Sequence, residues 1–133
     1  MYKRQILNKV LSEYSNNKSI LGVCLGHQAI ASYFGAKLLN LKEVKHGVAS
    51  TIKHFNNCNI FNNIPDSFKV AHYHSWVVSK EYFPSDLTIT SVNDEGIITS
   101  IRHNRLDITG LQFHPESILT DYGLLLLKNW LLN

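Results

Sequence analysis

The sequence predicts a single α/β domain, and three observations carry that expectation. A short apolar run, Ser19-Ile-Leu-Gly-Val-Cys24, leads without a linker into the helix-like residues 25–34, the pattern of a buried parallel strand, a tight turn and a helix. A helical pattern precedes this unit and another closes the chain, while residues 36–113 between them read as short β-type runs broken by turns. Size and composition allow nothing larger, since 133 residues at 44% hydrophobic and 17% charged suit one domain with its own core.

The elements follow in order. Ile6, Leu7, Val10, Leu11 and Tyr14 recur at the spacing of an amphipathic helix, which the polar run 15–19 ends. The strand 19–24 and the helix 25–34, closed by Gly35, come next. Strands are expected at 36–41, 48–55, 69–74 and 87–92, separated by turns bearing Asn and Pro. Asp94-Glu95-Gly96 is a turn signal that joins residues 88–92 to 97–102 in a hairpin. A further strand spans 106–113, and residues 119–132 form a helix with Leu124, Leu125, Leu127, Trp130 and Leu131 on its apolar face. No internal repeat and no linker divides the chain.

Several function classes are excluded by composition. Thirteen basic against ten acidic residues give a net charge of +3 with no basic block, too diffuse for nucleic acid. The longest apolar runs, such as Leu124 to Leu127, fall far short of the ~20 residues that cross a bilayer, so no membrane partner is expected. Cys24 and Cys58 form no CxxC pair and no leader segment precedes them, which points to a reduced, cytoplasmic protein. Among the seven histidines, His72-Tyr-His74 has the alternation of strand-borne metal ligands, with His46, His54 and His103 elsewhere. No third ligand completes a recognised spacing, so neither a metal nor another cofactor is expected.

Two short motifs carry chemistry. Gly22-Val23-Cys24-Leu25-Gly26, with a strand entering and a helix leaving, has the form of a nucleophile elbow: small residues permit a sharp reversal that lifts Cys24 over the sheet end. The amides of the following helix would favour a thiolate and lower its pKa below the ~8.5 of a free thiol. The bland reading is a small buried cysteine after a buried strand. Near the other end of the chain, Phe113-His-Pro-Glu-Ser117 places His114 and Glu116 two residues apart. In extended backbone both side chains share one face, so the carboxylate can hold one imidazole nitrogen while the other meets a nucleophile. Pro115 stiffens the pair. Taken alone it would be an ordinary surface His-Glu pair; taken with Cys24 it makes a candidate Cys-His-Glu triad.

The segments Gly22 to Gln28 (GVCLGHQ), His46-Gly47 with Ser50, Tyr73-His-Ser75 and Gly110 to Ile118 (GLQFHPESI) resemble the class I glutamine amidotransferases. Within that family they are most similar to the small subunits of anthranilate synthase and para-aminobenzoate synthase. The resemblance covers essentially the whole chain in the family's order. It implies a flavodoxin-like three-layer α/β sheet and a glutaminase in which Cys24 is the nucleophile, His114 the general base and acid, and Glu116 the residue that orients the imidazole. It also implies that glutamine is held by the Gln28 side chain and by backbone at Ser75 and Trp76, with the Leu25 amide as half of the oxyanion hole. The implied partner is a chorismate-using synthase large subunit, which would take the ammonia for anthranilate in tryptophan biosynthesis; the alternative is the para-aminobenzoate branch.

Two departures from the family pattern qualify this. The family's opening strand-helix-strand-strand portion, with the Pro-Gly-Pro-type loop that gives the other oxyanion amide, has no counterpart before residue 19. The expectation is therefore an N-terminally truncated domain over residues 1–133, with one pocket wall missing and sheet edges exposed. Loss of one oxyanion donor costs a factor of about 10²–10³ in turnover, so poor activity, or an inactive remnant that only binds, is the competing reading. Relatives also often carry arginine where His72 stands.

Overall fold

The computed structural model describes residues 2–132, excepting the side chains of Tyr2, Val44, Lys45 and His46. The His46 side chain of the resemblance motif thus lies outside the described residues. The chain runs α1 (Tyr2–Tyr14), β1 (Ile20–Val23), α2 (Leu25–Tyr33), β2 (Leu38–His54), β3 (Ser67–Val78), β4 (Leu87–Asn93), β5 (Ile98–His103), β6 (Ile108–Leu111) and α3 (Gly123–Leu131), with a short 3₁₀ turn at Asn59–Phe61. The strands form one six-stranded sheet in the order β1-β6-β5-β4-β2-β3. Only β1 and β6 pair in parallel among the described residues, Gly22 opposite Gly110 and Val23 opposite Leu111; the other pairings are antiparallel.

Two apolar clusters make the layers. On one face Ala29, Ile30 and Ala31 of α2 and Leu11 of α1 pack over Ile98, Ile101 and Ile108 of the sheet. On the other face Leu126 of α3 and Ile60 and Phe61 of the 3₁₀ turn pack over Ile52, Phe68 and Leu111. Both faces of β6 are therefore covered, which is why all four of its residues are buried and why it reads as a continuous apolar run.

The expected elements are present with shifted bounds. The strands read at 36–41 and 48–55 are one long strand, β2, with register breaks against β3 between Asn40 and Lys45 and between His46 and Val48. Gly47, at φ 63°, sits at the second break, so the glycine that looked like an interruption is a bulge within a continuous ribbon. The hairpin forms as expected: Gly96 has φ 79°, and the Asn93 side chain accepts from the amides of Glu95 and Ile97, each at 2.9 Å. The last strand is shorter than 106–113, and α3 begins at Gly123 rather than residue 119. Residues 112–122 form turns instead, and those turns carry the site.

Candidate active site

Cys24 stands alone between the end of β1 and the start of α2, at φ 54° and ψ −101°. A side chain in that region of backbone space costs on the order of 1–3 kcal/mol, so the fold around it must hold it there. It does so from both sides: the Cys24 amide donates to the Leu111 carbonyl at 2.8 Å, and its own carbonyl accepts from the Gln28 amide at 3.1 Å. Gly22 makes the reversal possible. A Cβ there would lie 2.5 Å from Ile30 Cδ1 and 2.6 Å from the carbonyl carbon of Gly26. The sharp elbow expected from the motif is thus present.

The half-buried thiol has a defined set of neighbours. Sγ lies 3.8 Å from the Tyr73 carbonyl and 3.8 Å from Gln112 Nε2. Burial pushes its pKa above the ordinary thiol value, and the Glu116 carboxylate adds to that; the Leu25 amide and the Gln112 side chain pull the other way. The thiol is therefore not the depressed, helix-activated group that the motif alone suggested. Among the described residues no hydrogen bond joins it directly to His114.

His114 and Glu116 meet as expected, His114 Nδ1 at 2.8 Å from Glu116 Oε2, but by a different geometry. The segment is not extended. The Ser117 amide donates to the His114 carbonyl at 3.2 Å, closing a β-turn with Pro115 in its second position, where proline's fixed φ fits. The turn is tied down at both ends. The His114 amide donates to the Ala71 carbonyl of β3 at 3.1 Å, and Thr120 Oγ1 donates to the His114 carbonyl at 2.6 Å while accepting from the Ala71 amide. Below it, the first residue of α3 touches the turn: a Cβ on Gly123 would lie 1.9 Å from the Pro115 carbonyl oxygen. The Tyr73 ring packs edge-on against the His114 ring, centroids 5.1 Å apart. Tyr73 thus touches both the thiol, through its carbonyl, and the imidazole, through its ring.

Of the expected glutamine-holding residues, Gln28 and Trp76 come together directly. Gln28 Nε2 donates to the Trp76 carbonyl at 2.8 Å. Leu25, Gln28 and Trp76 share the wall of a groove of about 870 Å³ with Lys3, Arg4 and Lys37. Ser75 sits beside Trp76 on β3, half-buried, and is not among that groove's walls. Cys24 and His114 do not line it either, so the thiol and the groove are adjacent but not one closed pocket. The His72-Tyr-His74 pair, weighed as a metal motif, forms its own buried contact, His74 Nε2 to His72 Nδ1 at 2.9 Å. No group of three or more potential metal ligands is found among the described residues. Sequence reasoning gave no role to Gln112, although it lies two positions before His114 within a quoted motif.

An elbow cysteine, a His-Glu pair on a turn and this sheet define the class of the chain. Residues 2–133 match the family of class I glutamine amidotransferases, and the chain belongs to that family. A Haemophilus influenzae protein assigned as an anthranilate synthase component II is 45% identical over 125 residues, which cover 94% of this chain and 65% of the relative. The aminodeoxychorismate/anthranilate synthase component 2 of Bacillus subtilis is 40% identical over 123 residues, 92% of this chain and 63% of the relative. A solved Thermoplasma acidophilum protein, assigned to GMP synthase as one of its subunits, superposes with a TM-score of 0.86 at 27% identity, covering 97% of this chain and 62% of its own. The chain thus spans just under two thirds of the length of these relatives. The fold is the flavodoxin-like one that the motifs implied. No helix among the described residues is long and apolar enough to cross a membrane.

Proposed function

We propose that this chain is the glutaminase part of a chorismate-aminating synthase, of the anthranilate type that serves tryptophan biosynthesis. The observation that carries the reading is the His114–Glu116 contact of 2.8 Å on a turn anchored to β3, with Tyr73 touching both the His114 ring and, through its carbonyl, the strained elbow cysteine. Glutamate at Nδ1 fixes the tautomer, so Nε2 of the neutral ring is free of its proton and can act as base.

The chemistry follows in two halves. His114 Nε2 takes the thiol proton, and Cys24 Sγ attacks the carboxamide carbon of glutamine, forming a tetrahedral oxyanion toward the Leu25 amide. The imidazolium returns the proton to the departing nitrogen, ammonia leaves, and a γ-glutamyl thioester remains on Cys24. His114 then deprotonates water, which attacks the thioester; glutamate leaves and the thiol is restored. Gln28 and the Trp76 backbone hold the substrate, and the ammonia passes to a synthase large subunit that aminates chorismate. Such a chain would work in the cytoplasm without nucleic acid, membrane or metal.

A second reading, in which the chain alone binds but turns over poorly until a partner completes the site, is favoured by the lack of a direct Cys24–His114 hydrogen bond among the described residues. One experiment addresses both: glutamate release from glutamine by the purified chain, alone and with a chorismate-using synthase subunit, with Cys24→Ser as control. Release that the control abolishes is the expected result with the synthase present. No release in either condition overturns the glutaminase assignment for this chain and leaves the binding remnant. Whether anthranilate or aminodeoxychorismate is made depends on which large subunit restores activity.

A further inference from the structure

Three side-chain amide contacts form a directed chain between β3 and the nucleophile. The Trp76 carbonyl can only accept, so Gln28 turns its NH₂ group toward it, at 2.8 Å. The same NH₂ lies 3.3 Å from Gln112 Oε1, which fixes the Gln112 amide with its oxygen on that side. Gln112 Nε2 is thereby aimed at Cys24 Sγ, 3.8 Å away. Gln112 is fully buried, and its backbone amide donates to the Thr99 carbonyl at 2.9 Å, so the side chain starts from a fixed point.

We propose that Gln112 is a positioning residue for the nucleophile, stabilising the ionised form of the Cys24 sulfur through an amide whose orientation is imposed by Gln28 and the Trp76 carbonyl. The protonated thiol can give its hydrogen to the Tyr73 carbonyl, 3.8 Å away. Once ionised it has no hydrogen to give, and the Gln112 N–H then remains as a donor aimed at a negative sulfur, where such a bond is strongest. The direction of the Gln112 effect on the thiol agrees, since it opposes the rise caused by burial. The same arrangement uses both Gln28 N–H bonds internally, so Gln28 presents only its carbonyl oxygen to a ligand. This inference rests on the glutaminase reading for its catalytic meaning, but not for its chemistry.

The test reads the sulfur directly. In a Cys58→Ser background, alkylation of Cys24 by iodoacetamide is followed from pH 6 to 10.5 for the parent, Gln112→Leu, Gln112→Glu and Gln28→Leu, with circular dichroism to establish folding. In Gln112→Leu the midpoint of the profile should move upward, so that the rate at pH 8 falls about threefold to tenfold, the effect of half to one pKa unit. The plateau at high pH should stay within about twofold, because the thiolate itself is unchanged. Gln112→Glu should shift the midpoint further, since a carboxylate repels the thiolate. Gln28→Leu should shift it less, by freeing the Gln112 amide to turn. A folded Gln112→Leu with the parent's midpoint overturns the proposal. If both Gln112 variants fail to fold, Gln28→Leu decides: an upward shift supports the relay and an unchanged midpoint overturns it. None of these readouts needs glutamine turnover, so failure of the glutaminase assignment would be seen separately.

Discussion

His27 lies three residues past the nucleophile on α2 and does none of its chemistry, yet its burial contributes to how stability depends on pH. It is fully buried, and burial lowers its pKa to about 3; the backbone at Gly110, beside the ring, opposes this only in part. The two are pressed together, since a Cβ on Gly110 would come 2.8 Å from His27 Nδ1. The native ring stays neutral while the unfolded ring takes a proton below its ordinary value of 6.5. The unfolded chain therefore binds more protons between these values, so the contribution to stability is whole above pH 6.5 and is lost as pH falls toward 3. At about 1.4 kcal/mol per pH unit, roughly 2 kcal/mol is lost between pH 6.5 and 5. Urea unfolding at pH 7 and 5 should show this loss in the parent and a shallower one in His27→Leu; equal losses in the two would refute it. At this scale the sequence was most informative through the GVCLG and FHPES motifs, which single out the Cys24 elbow and the His114–Glu116 pair that the structure also contains. It was silent on Gln112, whose role comes from an amide orientation that depends on Gln28, 84 positions away. It also misjudged the thiol, because a motif displays the helix N-terminus and not the burial that outweighs it.

Between elements, the most consequential contact is that of α3 with the His-Pro-Glu turn. Gly123 sits against the Pro115 carbonyl so closely that any side chain must displace backbone, and Pro115 lies between the two residues of the 2.8 Å pair. Gly123→Ala should cost about 1–3 kcal/mol, as overpacking does, and should move the His114 ring resonances in an NMR spectrum. Gly26 is the counterpart: a Cβ there meets nothing within 4 Å, so Gly26→Ala should be neutral or stabilising by up to about 1 kcal/mol through helix propensity. A Gly123→Ala protein as stable as the parent, with unmoved His114 resonances, would show that α3 does not support the turn. Here the sequence was less legible, for reasons that can be named. Apolar periodicity carried α3 back to residue 119, whereas residues 115–122 are spent on turns that link β3, through Ala71, Lys69 and Thr120, to the helix. Likewise two strands were read where β2 is one, because a bulge at Gly47 looks the same in sequence as a loop. Alternation also brought His114 and Glu116 together for the wrong reason, since a proline turn does so here.

Over the whole molecule, the sheet ends at β1, with one edge paired to β6 and the other unpaired among the described residues. Along this side runs a groove of about 510 Å³ between α1 and β1, walled largely by apolar side chains such as Ile6, Val10, Ile20 and Val23. Ile6 and Val10 are partly open to water, at 47% and 39% exposure, although their spacing marks them as the inner face of an amphipathic helix. An unpaired parallel edge next to an apolar groove is a template for association, and β1 carries no proline or charged residue to blunt it. The purified chain should therefore self-associate, with light scattering that rises steeply with concentration in the micromolar range. Ile6→Lys with Val10→Lys places two charges on that helix face without touching the Leu7 and Leu11 positions that pack on the core. The double variant should fold, by circular dichroism, and lower the scattering toward that of a 133-residue monomer. A parent chain that stays monomeric at every concentration would refute the argument. It would mean that α1 closes over the β1 edge in solution and leaves no face free for a second copy.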